Sequence, residues 1–311
     1  MNILVPGGCG YIGSYLVPFL LADGHEVIVV DPQWFGNTGV PDNPRAKLYR
    51  SAVEVEWSKI DAVIFLASLS SNTACENNPE LEDQTNRVLP LEYLKKAKAH
   101  GVERFIFASS VAAYGTSDKY MTEDMDLRPS TVYGTGKEYA EALMIAYSTD
   151  IATVRVRSAS VCGASPNVRF DVTLNKMVHD AVNLGVINVN GGNQYRCHVS
   201  IKDLCDFYRL LLNAPVEKIA GHAFNVVKEN QTVMESAKLV SEITRAKIET
   251  LPSSDNRSYK VDASKARDVL GFTAKHNLLV TLNDLKIRVE AGYWPYSMKD
   301  PSYQRLTSAR W

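Results

Sequence analysis

The first 31 residues alternate between short apolar runs and a glycine-rich or polar stretch. Asn2–Pro6 is apolar and predicts a buried parallel strand. Glycines follow at 7, 10 and 13, and Ser14–Ala22 has helical spacing that Gly24 ends. His25–Val30 predicts a second strand, which ends at Asp31. The pattern therefore predicts strand, glycine turn, helix and strand in that order.

The alternation of strands and helices continues through the first half of the chain. The apolar patterns predict strands at Ala46–Tyr49, Asp61–Ser68, Val102–Ser110 and Ala152–Arg157, and helices at Pro79–His100 and Thr131–Ser148. Repeated β-α-β units imply a parallel sheet with right-handed crossovers. We therefore predict an α/β fold with a Rossmann-type, doubly wound parallel sheet.

The pattern is less regular after Ser158. It predicts helices at Leu174–Leu184, Ile201–Asn213, Thr232–Thr244 and Ser264–Leu270, and strands at Val186–Val189, Phe224–Val227 and Ile248–Leu251. We therefore predict a first domain of residues 1–165 and a second, smaller mixed α/β domain of residues 166–311, which is interleaved with late sheet strands. The aromatic tail Tyr293–Trp311 is expected to cover a surface or a partner subunit.

Composition narrows the class of protein without changing this fold. The chain has 311 residues, of which 45% are hydrophobic and 22% charged, as in ordinary globular enzymes. Its net charge of −1 predicts no binding to nucleic acid or to an anionic membrane. No apolar run reaches membrane-spanning length, and no secretory signal pattern is seen. Five scattered cysteines and the absence of clustered metal ligands predict reduced thiols, no metal and a cytoplasmic location.

The three glycines and the acid after the second strand predict a dinucleotide site. Gly7 allows a tight turn, Gly10 lets the backbone approach a pyrophosphate, and Gly13 lets the helix lie close to the sheet. The helix N terminus offers free N–H groups and a positive dipole end to phosphates. Asp31 is placed to bind the adenosine ribose hydroxyls and to repel a 2′-phosphate, which favours NAD over NADP. A structural turn without a ligand is the alternative.

Tyr133 and Lys137 lie four residues apart, on one face of a predicted helix. A tyrosine with an ordinary pKa of about 10 is a poor base at neutral pH. A nearby ammonium group and an oxidised nicotinamide would lower that pKa. The tyrosine could then take a proton from a sugar hydroxyl while hydride leaves for NAD. Such a pair is common by chance, but here it follows both the glycine turn and the strand that ends at Ser110.

As a set, these motifs resemble the extended short-chain dehydrogenase/reductase family, which contains the NAD-dependent sugar-nucleotide epimerases and dehydratases. The matching stretches are GGCGYIG at 7–13, DAVIFLAS at 61–68, FASSVAAYG at 107–115, YGTGK at 133–137, RCHVSIKDL at 196–204 and DNRSYKVDASKARDVLGF at 255–272. The resemblance covers nearly all of residues 1–290. It implies NAD as cofactor, a nucleotide-diphosphate sugar as substrate, and a homodimer. The dimer would join Pro79–His100 and Thr131–Ser148 of both subunits in a four-helix bundle.

The resemblance also implies roles for individual residues. Ser110 would bind the reacting hydroxyl, Tyr133 would be the base, and Lys137 would tune it and hold the nicotinamide ribose. The implied cofactor-binding residues are Gly7, Gly10, Tyr11, Ile12, Gly13, Asp31, Ala67, Asn86 and Lys137. Ser110 and Tyr133 would contact the sugar, and Arg196 and Arg257 would hold the diphosphate through their guanidinium groups.

Departures from the family pattern distinguish between its reactions. Val111 and Ala112 follow Ser110 where 4,6-dehydratases carry Asp and Glu, and alanine also replaces the acid/base cysteine of 3,5-epimerases. We therefore predict inversion at C4 through a transient 4-keto sugar, with Tyr133 as the base. The alternatives are a 4-ketoreductase or a 4,6-dehydratase of the same family, and a non-catalytic NAD-sensing module. Ser160 stands where many family members have a substrate-binding Asn, and Cys162 where they often have Tyr. The sequence therefore does not identify the nucleotide base or the sugar of the substrate.

Overall fold

The computed structural model describes residues 1–253, 257–295, 297, 298, 300 and 303. Strands are numbered along the chain. They are β1 (Asn2–Pro6), β2 (Glu26–Val30), β3 (Ala46–Tyr49), β4 (Ala62–Phe65), β5 (Arg104–Ser110), β6 (Tyr120–Met121), β7 (Ala152–Ser158), β8 (Ser160–Cys162), β9 (Val186–Asn190), β10 (Tyr195–Ser200), β11 (Ala223–Val226), β12 (Glu229–Thr232), β13 (Lys247–Leu251) and β14 (Lys260–Val261).

Helices connect most of these strands. They are α1 (Tyr11–Ala22), α2 (Asn72–Asn77), α3 (Pro79–Asp83), α4 (Leu89–Ala99), α5 (Val132–Ala146), α6 (Thr173–Leu184), α7 (Ile201–Asn213), α8 (Val216–Ile219), α9 (Val233–Thr244), α10 (Ser264–Leu270) and α11 (Leu278–Glu290). A π-helical turn at Gln84–Val88 joins α3 to α4, and a short 3-10 turn at Val111–Tyr114 follows β5. None of the helices in the described ranges is long and apolar enough to cross a membrane.

The central sheet has seven strands in the order β11, β7, β5, β4, β1, β2, β3, and every neighbouring pair is parallel. Strand β11 comes from the second half of the chain and forms one edge. The predicted Rossmann-type α/β fold is therefore confirmed. Because all seven strands run in the same direction, their carboxyl ends and the loops that follow them gather at one edge of the sheet.

Alternate residues of each strand face two separate cores. Ile3 and Val5 of β1 pack with Leu16 of α1 on one face, whereas Leu4 packs with Leu94 of α4 on the other. All five side chains are fully buried. Helices covering both faces explain why these strands read as continuous apolar runs rather than alternating ones.

The second half of the chain builds smaller sheets beside the central one. Strand β10 lies between β12, which is antiparallel to it, and β8, which is parallel. Strands β13 and β9 form a parallel pair, as do β14 and β6. Helices α6, α9 and α11 pack against one another over this region. The arrangement is the smaller mixed α/β part that the irregular pattern predicted.

Some predicted elements differ in extent or were missed. The strand predicted at Asp61–Ser68 ends at Phe65, because the chain then leaves the sheet to pass close to Gly7. The helix predicted at Pro79–His100 contains the π-helical turn. Strand β10 was not predicted, since its polar and apolar residues are nearly all buried and give no in–out alternation. Helices α2 and α11 were also missed.

The aromatic tail packs on its own chain as far as it is described. The rings of Trp294 and Tyr303 lie 5.6 and 6.1 Å from that of Phe170. Tyr296 and Trp311 lie outside the described residues.

Candidate active site

A cavity of about 750 Å³ opens at the carboxyl edge of the central sheet. It runs from the glycine turn after β1, past the ends of β2, β4 and β5, to the start of α5. Ten of the predicted site residues line it: Gly7, Gly10, Tyr11, Ile12, Gly13, Asp31, Ala67, Ser110, Tyr133 and Lys137. These ten residues therefore lie along one continuous cavity.

The glycine turn has the geometry of a phosphate cradle. Gly7 has φ +78°, and a Cβ there would lie 2.5 Å from the Ala67 nitrogen. A Cβ on Gly13 would lie 2.5 Å from the Gly8 Cα, so α1 packs against the turn itself. Gly10 caps α1 without a side-chain hydrogen bond, which leaves the first N–H groups of the helix free for an anion. These features fit a dinucleotide pyrophosphate.

Asp31 is fixed at the end of β2 by backbone groups. Its Oδ2 accepts a hydrogen bond of 3.0 Å from the Cys9 N–H, and its Oδ1 accepts one of 2.7 Å from the Gln33 N–H. Each carboxylate oxygen can accept more than one hydrogen bond. The carboxylate is therefore held in place and can still accept from ribose hydroxyls in the cavity.

Helix α5 brings Tyr133 and Lys137 to the opposite end of the cavity. The Thr131 side chain accepts a 3.1 Å hydrogen bond from the Gly134 N–H and caps the helix. The Ser110 side chain lies beside Tyr133 and acts to lower the pKa of Tyr133. Lys137 Nζ donates a 2.7 Å hydrogen bond to the Ala108 carbonyl and lies 5.6 Å from the centre of the Tyr133 ring.

Burial favours the neutral forms of both α5 residues. It raises the pKa of Tyr133 to about 12, although the hydrogen bond to Ser110 and the charge of Arg169 act in the opposite direction. Burial also lowers the pKa of Lys137 to about 7, opposed by nearby acidic groups. The cation that lowers the pKa of Tyr133 here is Arg169, whereas we predicted Lys137. The effect of the lysine on the tyrosine stays a prediction.

Asn86 lies behind the cavity wall. Its Oδ1 accepts hydrogen bonds from the Ser68 hydroxyl at 2.9 Å and the Leu69 N–H at 3.0 Å, and its Nδ2 donates to the Leu69 carbonyl at 3.1 Å. These bonds fix the loop that follows β4, next to Ala67. Asn86 therefore shapes the cofactor cavity through this loop, and its predicted direct contact with the cofactor stays a prediction.

The two arginines predicted for the diphosphate lie close together but do not line the cavity. The Arg196 guanidinium donates to the Arg257 carbonyl and lies over the ring of Tyr259 at 5.5 Å. Tyr259 does line the cavity. The Arg196 guanidinium thus lies against a tyrosine ring of the cavity wall, and the contact of the two arginines with a diphosphate stays a prediction.

Sequence reasoning missed Arg169, which lines the cavity at the end where Tyr133 lies. Asp171 binds its guanidinium through two hydrogen bonds of 3.0 and 2.6 Å, and Ser70 accepts a third of 2.6 Å. The residue lies in a loop without periodicity, and Ser70 is 99 positions away in the sequence. The available signal was an Arg-Phe-Asp stretch in that loop, but no spacing rule marks it.

Comparison of the sequence with models of known protein families gives one match that covers most of the chain. The model of the NAD dependent epimerase/dehydratase family matches residues 3–226, which include the glycine turn, Ser110, Tyr133 and Lys137. The chain belongs to this family. NAD is therefore its cofactor, and the N terminus of α1 and the Asp31 carboxylate have the chemistry that would fit its pyrophosphate and its ribose.

Individual family members are similar along most of the chain. A UDP-glucose 4-epimerase of Lactobacillus helveticus is 29% identical over 307 residues, 89% of this chain and 93% of that protein. UDP-glucuronic acid decarboxylase 1 of Danio rerio is 27% identical over 294 residues, 87% of this chain and 68% of that protein. The crystal structure of UDP-glucuronic acid 4-epimerase from Bacillus cereus, with UDP-glucuronic acid and NAD, shares the fold. Its TM-score is 0.83 at 23% identity, over 94% of this chain and 99% of that one.

Proposed function

We propose that this protein is an NAD-dependent sugar-nucleotide epimerase that inverts C4 through a transient 4-keto sugar. The observation that carries the proposal is the meeting of Ser110, Tyr133 and Lys137 at one end of a cavity whose other end is the glycine turn. Val111 and Ala112, which follow Ser110, offer no acid for removing water from the sugar. The chain therefore carries the groups for oxidation and reduction at a single carbon.

The proposed reaction begins at the C4 hydroxyl. Ser110 and Tyr133 bind this hydroxyl, and Tyr133 takes its proton in the phenolate form, which the positive charges of an oxidised nicotinamide and of Arg169 would favour. NAD, when bound, would supply the nicotinamide ring as acceptor and donor of the C4 hydride. Lys137, held by the Ala108 carbonyl, binds the nicotinamide ribose. The keto sugar then rotates in the site, so that the hydride returns to the opposite face of C4. Tyr133 returns the proton, and the configuration at C4 is inverted.

The remaining assignments are part of the same proposal. Gly7, Gly10, Tyr11, Ile12, Gly13, Asp31, Ala67 and Asn86 bind or shape the site for NAD, and Arg196 and Arg257 hold the diphosphate of the substrate. Residues 1–165 form the NAD-binding domain and residues 166–311 mainly the substrate-binding one. The protein acts as a cytoplasmic homodimer.

The test is incubation of purified protein and NAD with UDP-glucose, UDP-galactose, UDP-glucuronate and GDP-mannose, followed by proton NMR of the sugar ring. The uronate belongs in the panel because Arg169 places a cation in the cavity near Tyr133. We expect the C4 epimer of one substrate to appear without accumulation of NADH. Net oxidation of added NADH, loss of water or release of CO₂ would instead identify a ketoreductase, a dehydratase or a decarboxylase and contradict the proposal.

A further inference from the structure

Helix α5 carries a third ionisable side chain on the same face as Tyr133 and Lys137. Glu141 follows Lys137 by four residues, so the three side chains lie in one row along the helix. Glu141 is 1% exposed and does not line the cavity. A carboxylate buried this deeply must be fully paired, because an isolated buried charge is very costly.

The Glu141 carboxylate is held by two neighbouring strands. The Ser109 hydroxyl donates a hydrogen bond of 2.5 Å to Oε1. Arg157 Nε donates to Oε1 at 2.9 Å, and Arg157 Nη2 donates to Oε2 at 2.7 Å. Arg155 Nη1 lies 3.6 Å from Oε2. The carboxylate therefore accepts a forked, charge-assisted pair from one arginine and a short bond from a serine.

These partners lie directly beside the site. Ser109 and Arg157 are paired in the register of β5 and β7. The next residue of each strand, Ser110 and Ser158, lines the cavity. Glu141 thus joins α5 to the two strand ends that carry the wall facing Tyr133.

Arg157 is itself fixed, so it forms a rigid anchor. Its Nη1 donates to the Tyr114 hydroxyl at 2.8 Å and to the Glu123 carbonyl at 3.3 Å. The Tyr114 hydroxyl in turn donates to the Asn225 side chain at 2.8 Å on the edge strand β11. Rotation of α5 away from β5 would therefore break a network that extends to the edge of the sheet.

We propose that Glu141 is a positioning residue of the active site. Its carboxylate fixes the rotation of α5 against β5 and β7, and so sets where Tyr133 meets Ser110 and where Lys137 meets the Ala108 carbonyl. The inference rests on the proposed function, since those two contacts matter only if Tyr133 and Lys137 act in the reaction.

The same carboxylate also acts on Lys137 by its charge. Cys75 of α2, Glu82 of α3 and Glu141 of α5 all raise the pKa of Lys137 against the effect of burial. The ring of Phe107 on β5 also faces the ammonium group, at 4.8 Å. Removing the charge of Glu141 therefore lowers the pKa of Lys137 further, and less of the lysine is protonated at neutral pH.

Two substitutions of Glu141 distinguish its role in positioning α5 from the effect of its charge on Lys137. Glu141→Gln keeps the length of the side chain and removes its charge, whereas Glu141→Asp keeps the charge and shortens the reach. We expect Glu141→Asp to lower kcat by about 10- to 100-fold with KM changed less than about twofold, as for a small misplacement of reacting groups. Glu141→Gln moves the alkaline limb of the kcat profile to lower pH. Glu138→Gln, a matched change on the same helix, leaves kcat and its pH profile unchanged.

A direct titration of Lys137 distinguishes failure of this inference from failure of the proposed function. The pKa is read by NMR from the labelled lysine methylene next to Nζ, assigned with Lys137→Met, and needs no turnover. We expect it to fall in Glu141→Gln and to stay near the wild-type value in Glu141→Asp. Absence of C4 inversion by the wild type would overturn the function and leave this titration intact.

The inference is overturned if both Glu141 variants keep the wild-type kcat, pH profile and lysine titration and lose only thermal stability. Should both fail to fold, Ser109→Ala tests the same contact, because the Arg157 pair remains in place. We expect that variant to lower kcat severalfold with KM unchanged. An unchanged kcat in Ser109→Ala would then contradict the positioning role.

Discussion

Tyr133 and Lys137 lie one helical turn apart and have pKa values displaced in opposite directions. Burial keeps the phenol protonated and leaves the lysine only partly protonated at neutral pH. Both displacements favour uncharged groups, as expected for side chains that are buried away from water. The tyrosine therefore needs the positive charge of the nicotinamide, together with Arg169, to act as a base. Perturbation of this kind is typical of residues that transfer protons in a reaction.

Removal of the Tyr133 hydroxyl tests the base directly. We expect Tyr133→Phe to lower kcat by about 10²- to 10⁴-fold, because a positioned proton acceptor contributes that much to the rate. The KM for the sugar nucleotide changes little, since most of the substrate is bound elsewhere. Tyr139→Phe is the matched control, because Tyr139 is an exposed tyrosine of the same helix. Steady-state kinetics measure both variants. Equal activity of Tyr133→Phe and Tyr139→Phe would rule out Tyr133 as the base.

The buried lysine predicts a pH-dependent stability. The pKa of Lys137 is about 7 in the folded chain and 10.5 in its ordinary state, so the unfolded chain binds one more proton between these values. The stability of the wild type therefore rises with pH over this window, by up to about 1.4 kcal/mol per pH unit. Lys137→Met lacks this term. Denaturant unfolding of both proteins should show that the difference between their free energies of unfolding changes from pH 7 to pH 10. A constant difference would contradict the lowered pKa of Lys137.

At the scale of single elements, the first β-α-β unit could be predicted because its contacts are local. The tight turn at Gly7 and the start of α1 follow from glycine spacing within a dozen residues. Other features depend on distant residues. Asn167 donates to the Cys9 carbonyl at 2.7 Å across 158 positions, and Arg169 bonds to Ser70 across 99. Such loop residues have no periodicity, so the sequence could not place them at the site.

Alanine substitutions at Gly10 and Gly13 of the glycine turn are expected to have different effects, one on NAD binding and one on stability. Gly10 has φ −71°, and a Cβ there would meet only the Gly7 carbonyl at 3.2 Å. We expect Gly10→Ala to fold but to bind NAD at least tenfold more weakly, because the methyl group occupies space near the pyrophosphate. Gly13→Ala would place its Cβ 2.5 Å from Gly8 and should lower the melting temperature. Calorimetric titration with NAD measures the affinity, and thermal unfolding measures the melting temperature. An NAD affinity of Gly10→Ala equal to that of the wild type would contradict the proposed phosphate cradle.

At the scale of the whole molecule, we expect two chains to associate through α5 and the helical segment from α3 to α4. The exposed Tyr139 of α5 lies under Arg87 of the π-helical turn, with 5.9 Å between the guanidinium and the ring centre. An aromatic side chain exposed between two helices is typical of an interface. Analytical ultracentrifugation should give twice the mass of one chain for the wild type and a single chain for Tyr139→Glu. A monomeric wild type would contradict the dimer.

In the proposed reaction, one carbon of the sugar loses and regains the same hydrogen within one enzyme molecule. The most direct measurement uses the accepted sugar nucleotide with deuterium at C4, incubated in ordinary water and analysed by mass spectrometry and NMR. We expect the inverted product to keep its deuterium at C4 and to gain no hydrogen from solvent there. A product with hydrogen at C4, or deuterium recovered in free NADH, would contradict it.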